Sequence, residues 1–175
     1  MTDSSSRSEY IITRLDPHHD KQWFSCGSIR LDDYLKTRAG QDAKKNVSVT
    51  YVLTQFHSNK IIGYYTVASI GIDARELPDE IIKKLPKYPI LPGILLARLA
   101  VEKNHHGLKI GGFLLADVLK RSLSISHQIG MTAVIVDAKD NKASRFYQHF
   151  GFIEFPENKA KLFLPMSTIK KLSFA

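Results

Sequence analysis

Two stretches of the chain combine residue types and spacings that could do chemistry. In the first, the apolar run ILLARLAV (94–101) passes through EKNHHGLKIGG into a helical pattern, which puts Gly107, Gly111 and Gly112 where a strand would meet a helix N-terminus. The N–H groups of a first helical turn have no partner inside the helix and the dipole is positive there, so the junction suits a phosphate. The same glycines would also serve simply to let a tight turn close. The spacing G-x-x-x-G-G is not the dinucleotide fingerprint, and no G-K-S/T marks a P-loop. In the second stretch, DAKDNKASRFYQHFGF, Asp140 is placed to cap a short helix that Gly151 closes, and Tyr147 shares that helix with Ala143, Phe146 and Phe150. Tyr147, like the other aromatics of that helix, reads as a core residue unless its position in the fold gives it another role.

Other reactive side chains point to less. Adjacent histidines, as in His18-His19 and His105-His106, alternate direction in extended chain, and no third ligand stands in register, so no metal site is expected. The single cysteine, Cys26, excludes an intramolecular disulfide, a thiolate-only zinc site and a CxxC pair, and reads as a structural thiol. Trp23 is assigned to packing. Glu102, at the end of the run 94–101, is the one carboxylate beside the glycine loop that could act as a base, but it is expected to face solvent and is left out of the catalytic set.

The elements that must carry these groups follow from hydrophobic period. YIITRL (10–15) is predicted as a first strand. Leu31, Tyr34, Leu35 and Arg38 then recur at helical spacing, with Asp32, Asp33, Lys36 and Lys44 facing outward. Strands from Val47 and from Ile61 should pair as an antiparallel hairpin. The four prolines between Gly71 and Pro92 mark a surface excursion around DEIIKKL. The continuous runs ILLARLAV (94–101) and MTAVIVDA (131–138) read as strands covered on both faces, joined by a long helix ending before Gly130, in which Phe113, Leu115 and Leu119 widen the stripe of Ile110, Leu114 and Val118. FIEF and KLFLPMSTI are predicted as an edge hairpin, with Pro165 at an edge or bulge.

A chain of 175 residues, 43% hydrophobic and 24% charged, is expected to form one α/β domain over 1–175 with a flexible segment 1–9. Its 25 Lys plus Arg against 17 Asp plus Glu leave a formal +8, which favours an anionic partner. The polar start and the lack of any long apolar run predict neither export nor a membrane helix, and the lone cysteine suits a cytoplasmic setting.

Several blocks in order, FSCGSIRLDDYLKTRAGQDAKKNVSVTYVL, IIGYYTVAS, LPGILLARLAVEKNHHGLKIGGFLL, VIVDAKDNKASRFYQHFGF and KLFLPMSTI, resemble the GNAT acetyltransferases, and within them the toxins of bacterial toxin-antitoxin pairs. The resemblance implies a central mixed, V-shaped sheet of six to seven strands flanked by about four helices. Acetyl-CoA would lie along Leu99, Ala100 and Val101, with its pyrophosphate on His106, Gly107, Leu108, Lys109, Ile110, Gly111 and Gly112. Asn141 and Ser144 match positions that face the cofactor, and Tyr147 matches the general acid that protonates the leaving thiolate. The family loop is normally Gln or Arg, two residues, Gly, one residue, then Gly or Ala, whereas here those places hold His106, Lys109 and Gly111. A positive φ at 109 would call for glycine; helical angles would allow lysine and bring its ammonium toward the phosphates.

The toxin resemblance also implies an acceptor, the α-amino group of an aminoacyl-tRNA. Such an amine, of pKa about 7.7 to 8.0, is on the order of a tenth neutral at pH 7 and needs no strong base, unlike lysine at about 10.4. Lys36, Arg38, Lys44 and Lys45, with Arg98 on the central strand, are candidate tRNA contacts; Lys83, Lys84, Lys87, Lys159 and Lys161 form further basic clusters. A ribbon-helix-helix antitoxin would be the partner, with DNA reached only through it, and a homodimer is one assembly the resemblance allows. Two other readings stay open: acetylation of a small-molecule or protein amine, and a cofactor-less module that only binds the antitoxin.

Overall fold

Runs rich in β-branched and aromatic residues become strands, and segments of 3.6-residue period become helices, nearly in the predicted order. The computed structural model describes residues 9–174, so all but the last residue of the segment expected to be flexible lies outside the described residues. The elements are β1 (Tyr10–Arg14), α1 (Ile29–Asp33), a π-helical turn (Tyr34–Arg38), α2 (Ala39–Lys44), β2 (Val49–Gln55), β3 (Ile61–Asp73), α3 (Asp79–Ile82), β4 (Ile90–Val101), α4 (Ile110–Ser126), β5 (Ala133–Asp137), α5 (Asn141–His149), β6 (Ile153–Phe155), β7 (Asn158–Pro165) and α6 (Met166–Ile169). The strands hydrogen-bond in the order β1-β2-β3-β4-β5-β7-β6. β1, β2 and β3 pair antiparallel, β4 and β5 parallel, and β7 antiparallel to both β5 and β6. A parallel pair needs a crossover, and α4 supplies it. No described helix is long and apolar enough to cross a membrane.

The described residues fall into two compact units whose boundaries lie within β3, β4 and α4. The first unit holds the chain up to Val67 together with Arg98–Val118. Its core is built from Phe24, Tyr34, Leu35, Ala39, Val52, Ile61, Tyr64 and Ala100. Gly63 of β3 sits where a Cβ would come within 2.9 Å of Leu114 Cδ1 and 3.2 Å of the Ala100 carbonyl oxygen. Only glycine lets the start of α4 approach the sheet this closely, and that approach sets where the loop before α4 stands.

The second unit holds Ala68–Ala97 and the chain from Leu119 onward. Ile72, Leu77, Leu91, Ala133, Ile135, Phe155 and Phe163 form its core, with Ile81, Ile82 and Leu85 packed against it, so the proline-rich excursion is anchored by apolar contacts rather than lying free on the surface. Ala133 to Val136 are all buried, as a strand covered on both faces requires.

Three expectations change. The last two runs do pair as an antiparallel hairpin at the end of the sheet, but only β6 is an edge strand: β7, which Pro165 ends, lies between β5 and β6, and MSTI is the helical turn α6. Asp32 does not face outward; it is buried, and its Oδ1 accepts the Cys26 N–H at 2.9 Å. Arg38, expected on the apolar face, is exposed, because the π turn between α1 and α2 breaks the 3.6-residue register.

Candidate active site

In the first unit the end of β4 runs into a tightly tied turn. The Glu102 N–H donates to the Ile62 carbonyl at 2.7 Å, and the Glu102 carboxylate accepts from the Asn104 N–H at 3.0 Å and from His105 Nδ1 at 2.8 Å. Glu102 is therefore not a solvent-facing loop residue. It is 5% exposed, and its charge is spent on capping the 3-10 turn Lys103–His105. His106 follows, exposed, its Nε2–H donating to the Val101 carbonyl at 2.8 Å. Leu99 and Val101 are half-buried and Ala100 is buried. The β4–β5 register ends at Leu96↔Val136, so Leu99, Ala100 and Val101 lie beyond that ladder on β4.

The loop that opens α4 takes two left-handed residues, Gly107 at φ +81° and Lys109 at φ +60°. Lys109 thus follows the first of the two alternatives posed by the sequence: the backbone keeps a conformation that favours glycine although a lysine occupies it. At +60° an L-residue lies inside the small allowed left-handed region, at a cost of about 1 kcal/mol. The space into which a Gly107 Cβ would project is open. Leu108 is 60% exposed, Ile110 is buried, and Gly111 and Gly112 are half-buried in the first turn of α4. The Lys109 carbonyl accepts the Phe113 N–H at 3.2 Å. The N–H groups of Ile110, Gly111 and Gly112 accordingly have no acceptor within the helix. A turn with two left-handed residues ahead of the unpaired first-turn N–H groups of a 17-residue helix has the donor set that a diphosphate calls for.

In the second unit β5 delivers the chain to α5. The Asp140 side chain accepts the Ala143 N–H at 2.8 Å, the cap predicted from sequence, and Gly151 at φ +92° ends the segment. Asn141 is exposed; Ser144 is buried, its Oγ accepting from Gln148 Nε2 at 2.9 Å. Tyr147 is 9% exposed, with its ring 5.1 Å from Phe146 and 5.5 Å from Phe152. Burial pushes its phenol up to about 12. The two sequence readings of Tyr147 are therefore compatible: the ring is packed as a core aromatic, and the same packing keeps the hydroxyl protonated.

The basic candidates of the first unit divide by environment. Arg38, Lys44 and Lys45 are exposed and Lys36 is half-buried. Arg98 is not a free cation: its guanidinium stands 3.4 Å over the centre of the Tyr34 ring. Tyr34 hydrogen-bonds Asp42 Oδ2 and Ser48 Oγ, both at 3.1 Å, while the Tyr64 hydroxyl donates to the Leu31 carbonyl at 2.7 Å. Burial and the neighbouring Cys26 push the Tyr64 phenol far up. This polar network beneath α1 and the π turn was invisible in the periodicity, which marks Tyr34 and Tyr64 only as apolar positions. Phe113, expected to widen the buried stripe of α4, is 42% exposed, and Trp23, assigned to packing, is 74% exposed.

At the histidine pair a third group does approach. Potential ligand atoms of Asp16, His18 and His19 lie within 4.8 Å of one another. Both ring nitrogens of His19 already have partners, however: Nδ1 accepts the Asp16 N–H at 3.1 Å and Nε2 lies 3.3 Å from Thr13 Oγ1. Local hydrogen bonding accounts for the cluster.

A family model described as acetyltransferase (GNAT) domain matches residues 47–154. A probable toxin TacT of Sinorhizobium fredii (strain NBRC 101917 / NGR234) is 32% identical over 170 residues, 93% of this chain and 94% of that protein. A tRNA-acetylating toxin of Mycobacterium tuberculosis (strain ATCC 25618 / H37Rv) is 32% identical over 159 residues, 91% of this chain and 93% of that protein. Among solved structures, a tyrosine-to-phenylalanine mutant of KacT has a TM-score of 0.89 at 28% identity, covering 94% of this chain and 99% of that one. AtaT complexed with acetyl-methionyl-tRNAfMet has a TM-score of 0.86 at 29% identity, covering 93% and 98%. A tyrosine-to-phenylalanine mutant of AtaT, bound to the C-terminus of the antitoxin AtaR and acetyl-CoA, has a TM-score of 0.78 at 26% identity, covering 93% and 96%.

Proposed function

The chain belongs to the GNAT acetyltransferases, and from that footing we propose that it transfers acetyl from acetyl-CoA to the α-amino group of an aminoacyl-tRNA, blocking translation, until a cognate ribbon-helix-helix antitoxin restrains it. The observation that carries this reading is the likeness, over nine-tenths of the chain, to a tRNA-acetylating toxin and to AtaT holding its acetylated tRNA. The formal charge of +8 supports a nucleic-acid substrate over a free cationic amine. On this reading residues 1–175 act as one domain in the cytoplasm, and DNA is met only through the antitoxin.

Acetyl-CoA, when bound, supplies the acyl group activated as a thioester. The chain's residues then have the following roles. Backbone groups of Leu99, Ala100 and Val101 hold the pantetheine arm. The turn His106–Gly112 and the open first turn of α4 seat the diphosphate, with the Lys109 ammonium as an added donor. Asn141 and Ser144 face the cofactor. Tyr147 presents an O–H to the sulfur as charge gathers there. A phenol that keeps its proton until about 12 is a weaker acid than a thiol of about 8.5, so Tyr147 stabilises the departing charge chiefly by donating a hydrogen bond, and the proton that balances the exchange comes from the attacking amine. No carboxylate base is required, which agrees with Glu102 being committed to its own turn.

Incubation with labelled acetyl-CoA and a panel of charged tRNAs tests the proposal. Label should appear on the aminoacyl group of at least one tRNA, and expression should arrest growth unless Tyr147 is replaced by Phe. Label on free amines alone, with every charged tRNA unreacted, would overturn it.

A further inference from the structure

Trp23 is the chain's sole tryptophan, and the mechanism above leaves it without a role. An indole packed in the core would remove on the order of 200 Å² from water, yet this one is 74% exposed. Its placement is fixed rather than incidental. The next residue, Phe24, is 1% exposed and packs edge-on against Tyr64 with ring centres 5.5 Å apart, which anchors the segment and leaves Trp23 outside. The Phe24 N–H donates to the Lys21 carbonyl at 3.2 Å, and the Cys26 N–H to the buried Asp32 carboxylate at 2.9 Å. The Lys103 N–H donates to the Ser25 carbonyl at 2.8 Å. That last bond ties the segment bearing Trp23 to the residue after Glu102, on the turn that leads from the proposed pantetheine strand to the diphosphate loop. All of these residues belong to the first unit. Exposed cations, Arg30 and Lys103, belong to the same two segments, as does Ile29 at 78% exposure.

We propose that Trp23 is a stacking platform for an unpaired base at the aminoacyl-bearing end of the RNA substrate, with Arg30 and Lys103 meeting the adjacent phosphates. The inference rests on the tRNA-acetylation reading and deepens it by naming how the acceptor end is gripped. An exposed aromatic ring on a segment tied down by backbone hydrogen bonds, with exposed cations on the same two segments of a chain of formal charge +8, is the chemistry that holds single strands. Such stacking tolerates any base, and it fixes where the terminal nucleotide lies without reading the amino acid.

Because the chain has no other tryptophan, emission excited at the red edge, where its tyrosines do not absorb, reports on this position alone. The test titrates the full chain with an RNA oligonucleotide ending in CCA, single-stranded in one arm and annealed to its complement in the other. The single strand should quench Trp23 and the duplex should not. In the acetylation assay Trp23→Ala should raise KM for charged tRNA roughly tenfold with kcat and the KM for acetyl-CoA unchanged, and Trp23→Phe should retain most of the wild-type KM. Equal quenching by single strand and duplex, no quenching by either, or a wild-type KM in Trp23→Ala would each overturn the platform; a patch that instead receives a protein segment would give the last two results. The two readings fail separately: acetyl transfer without quenching removes the platform and keeps the reaction, whereas quenching without acetyl transfer does the reverse.

Discussion

Replacing Lys109 by glycine separates backbone strain from charge at the position where this loop departs from its family. At φ +60° the lysine carries a conformational cost of about 1 kcal/mol, which glycine removes. Glycine also loosens the unfolded chain, which offsets about 0.4 to 1 kcal/mol of that gain. The apo-protein should therefore range from unchanged to about 0.6 kcal/mol more stable, a rise in Tm of no more than about 2 °C for a chain of this length. Cofactor affinity should move the other way. An ammonium hydrogen-bonded to a phosphate contributes about 1.5 to 3 kcal/mol when shielded; position 109 is exposed, so solvent screening reduces this to about 1 kcal/mol, or roughly fivefold in Kd. Lys109→Met keeps the left-handed strain and loses the charge, so it should weaken acetyl-CoA by the same factor with no gain in Tm. Titration calorimetry with acetyl-CoA and scanning calorimetry of the apo-proteins measure both quantities. A wild-type protein that binds no acetyl-CoA, beside a Lys109→Gly variant that does, would refute the claim that this lysine is compatible with the cofactor.

Tyr147→Phe should leave acetyl-CoA affinity intact and cut turnover at least about tenfold; an unchanged kcat would take Tyr147 out of the mechanism. The same variant tests the burial of the phenol. The native pKa of about 12 exceeds the ordinary 10.0, so the stabilisation from the neutral hydroxyl is whole below pH 10 and lost as pH climbs from 10 to 12. Urea midpoints across that window should therefore fall less steeply in Tyr147→Phe than in wild type, and parallel slopes would contradict the burial argument. Glu102→Ala strips the acceptor from the Asn104 N–H and from His105 and should cost about 1 to 3 kcal/mol in urea unfolding, whereas a change under about 0.5 kcal/mol would mean that the cap contributes little. Binding of charged tRNA should weaken linearly in log Kd against log salt; a salt-independent affinity would argue against phosphate contacts by Arg38, Lys44 and Lys45.

What could be read in advance was whatever depends on period and composition. The burial of Ala133 to Val136 follows from a continuous apolar run, and the Asp140 cap follows from an aspartate three residues before an amide that needs an acceptor. What could not be read depends on the direction in which one particular residue is sent. Glu102 follows an apolar strand and looks like the first loop residue, but the turn after it folds back so that the Asn104 amide and the His105 ring both meet its carboxylate, and those bonds draw a charged group into the interior. Asp32 has the same history with the Cys26 amide. Trp23 and Phe24 are adjacent large aromatics, and no scale of hydrophobicity says which one enters the core; the edge-on contact of Phe24 with Tyr64 decides it and turns Trp23 outward. The loop shows the same limit. Its glycines stand at 107, 111 and 112, yet the structure uses positive φ at 107 and 109 and threads Gly111 and Gly112 into a helical turn. Of the three glycines only Gly107 takes a left-handed position, and the second such position falls to Lys109. The resemblance, not the glycine count, singled out position 109, where the backbone is left-handed.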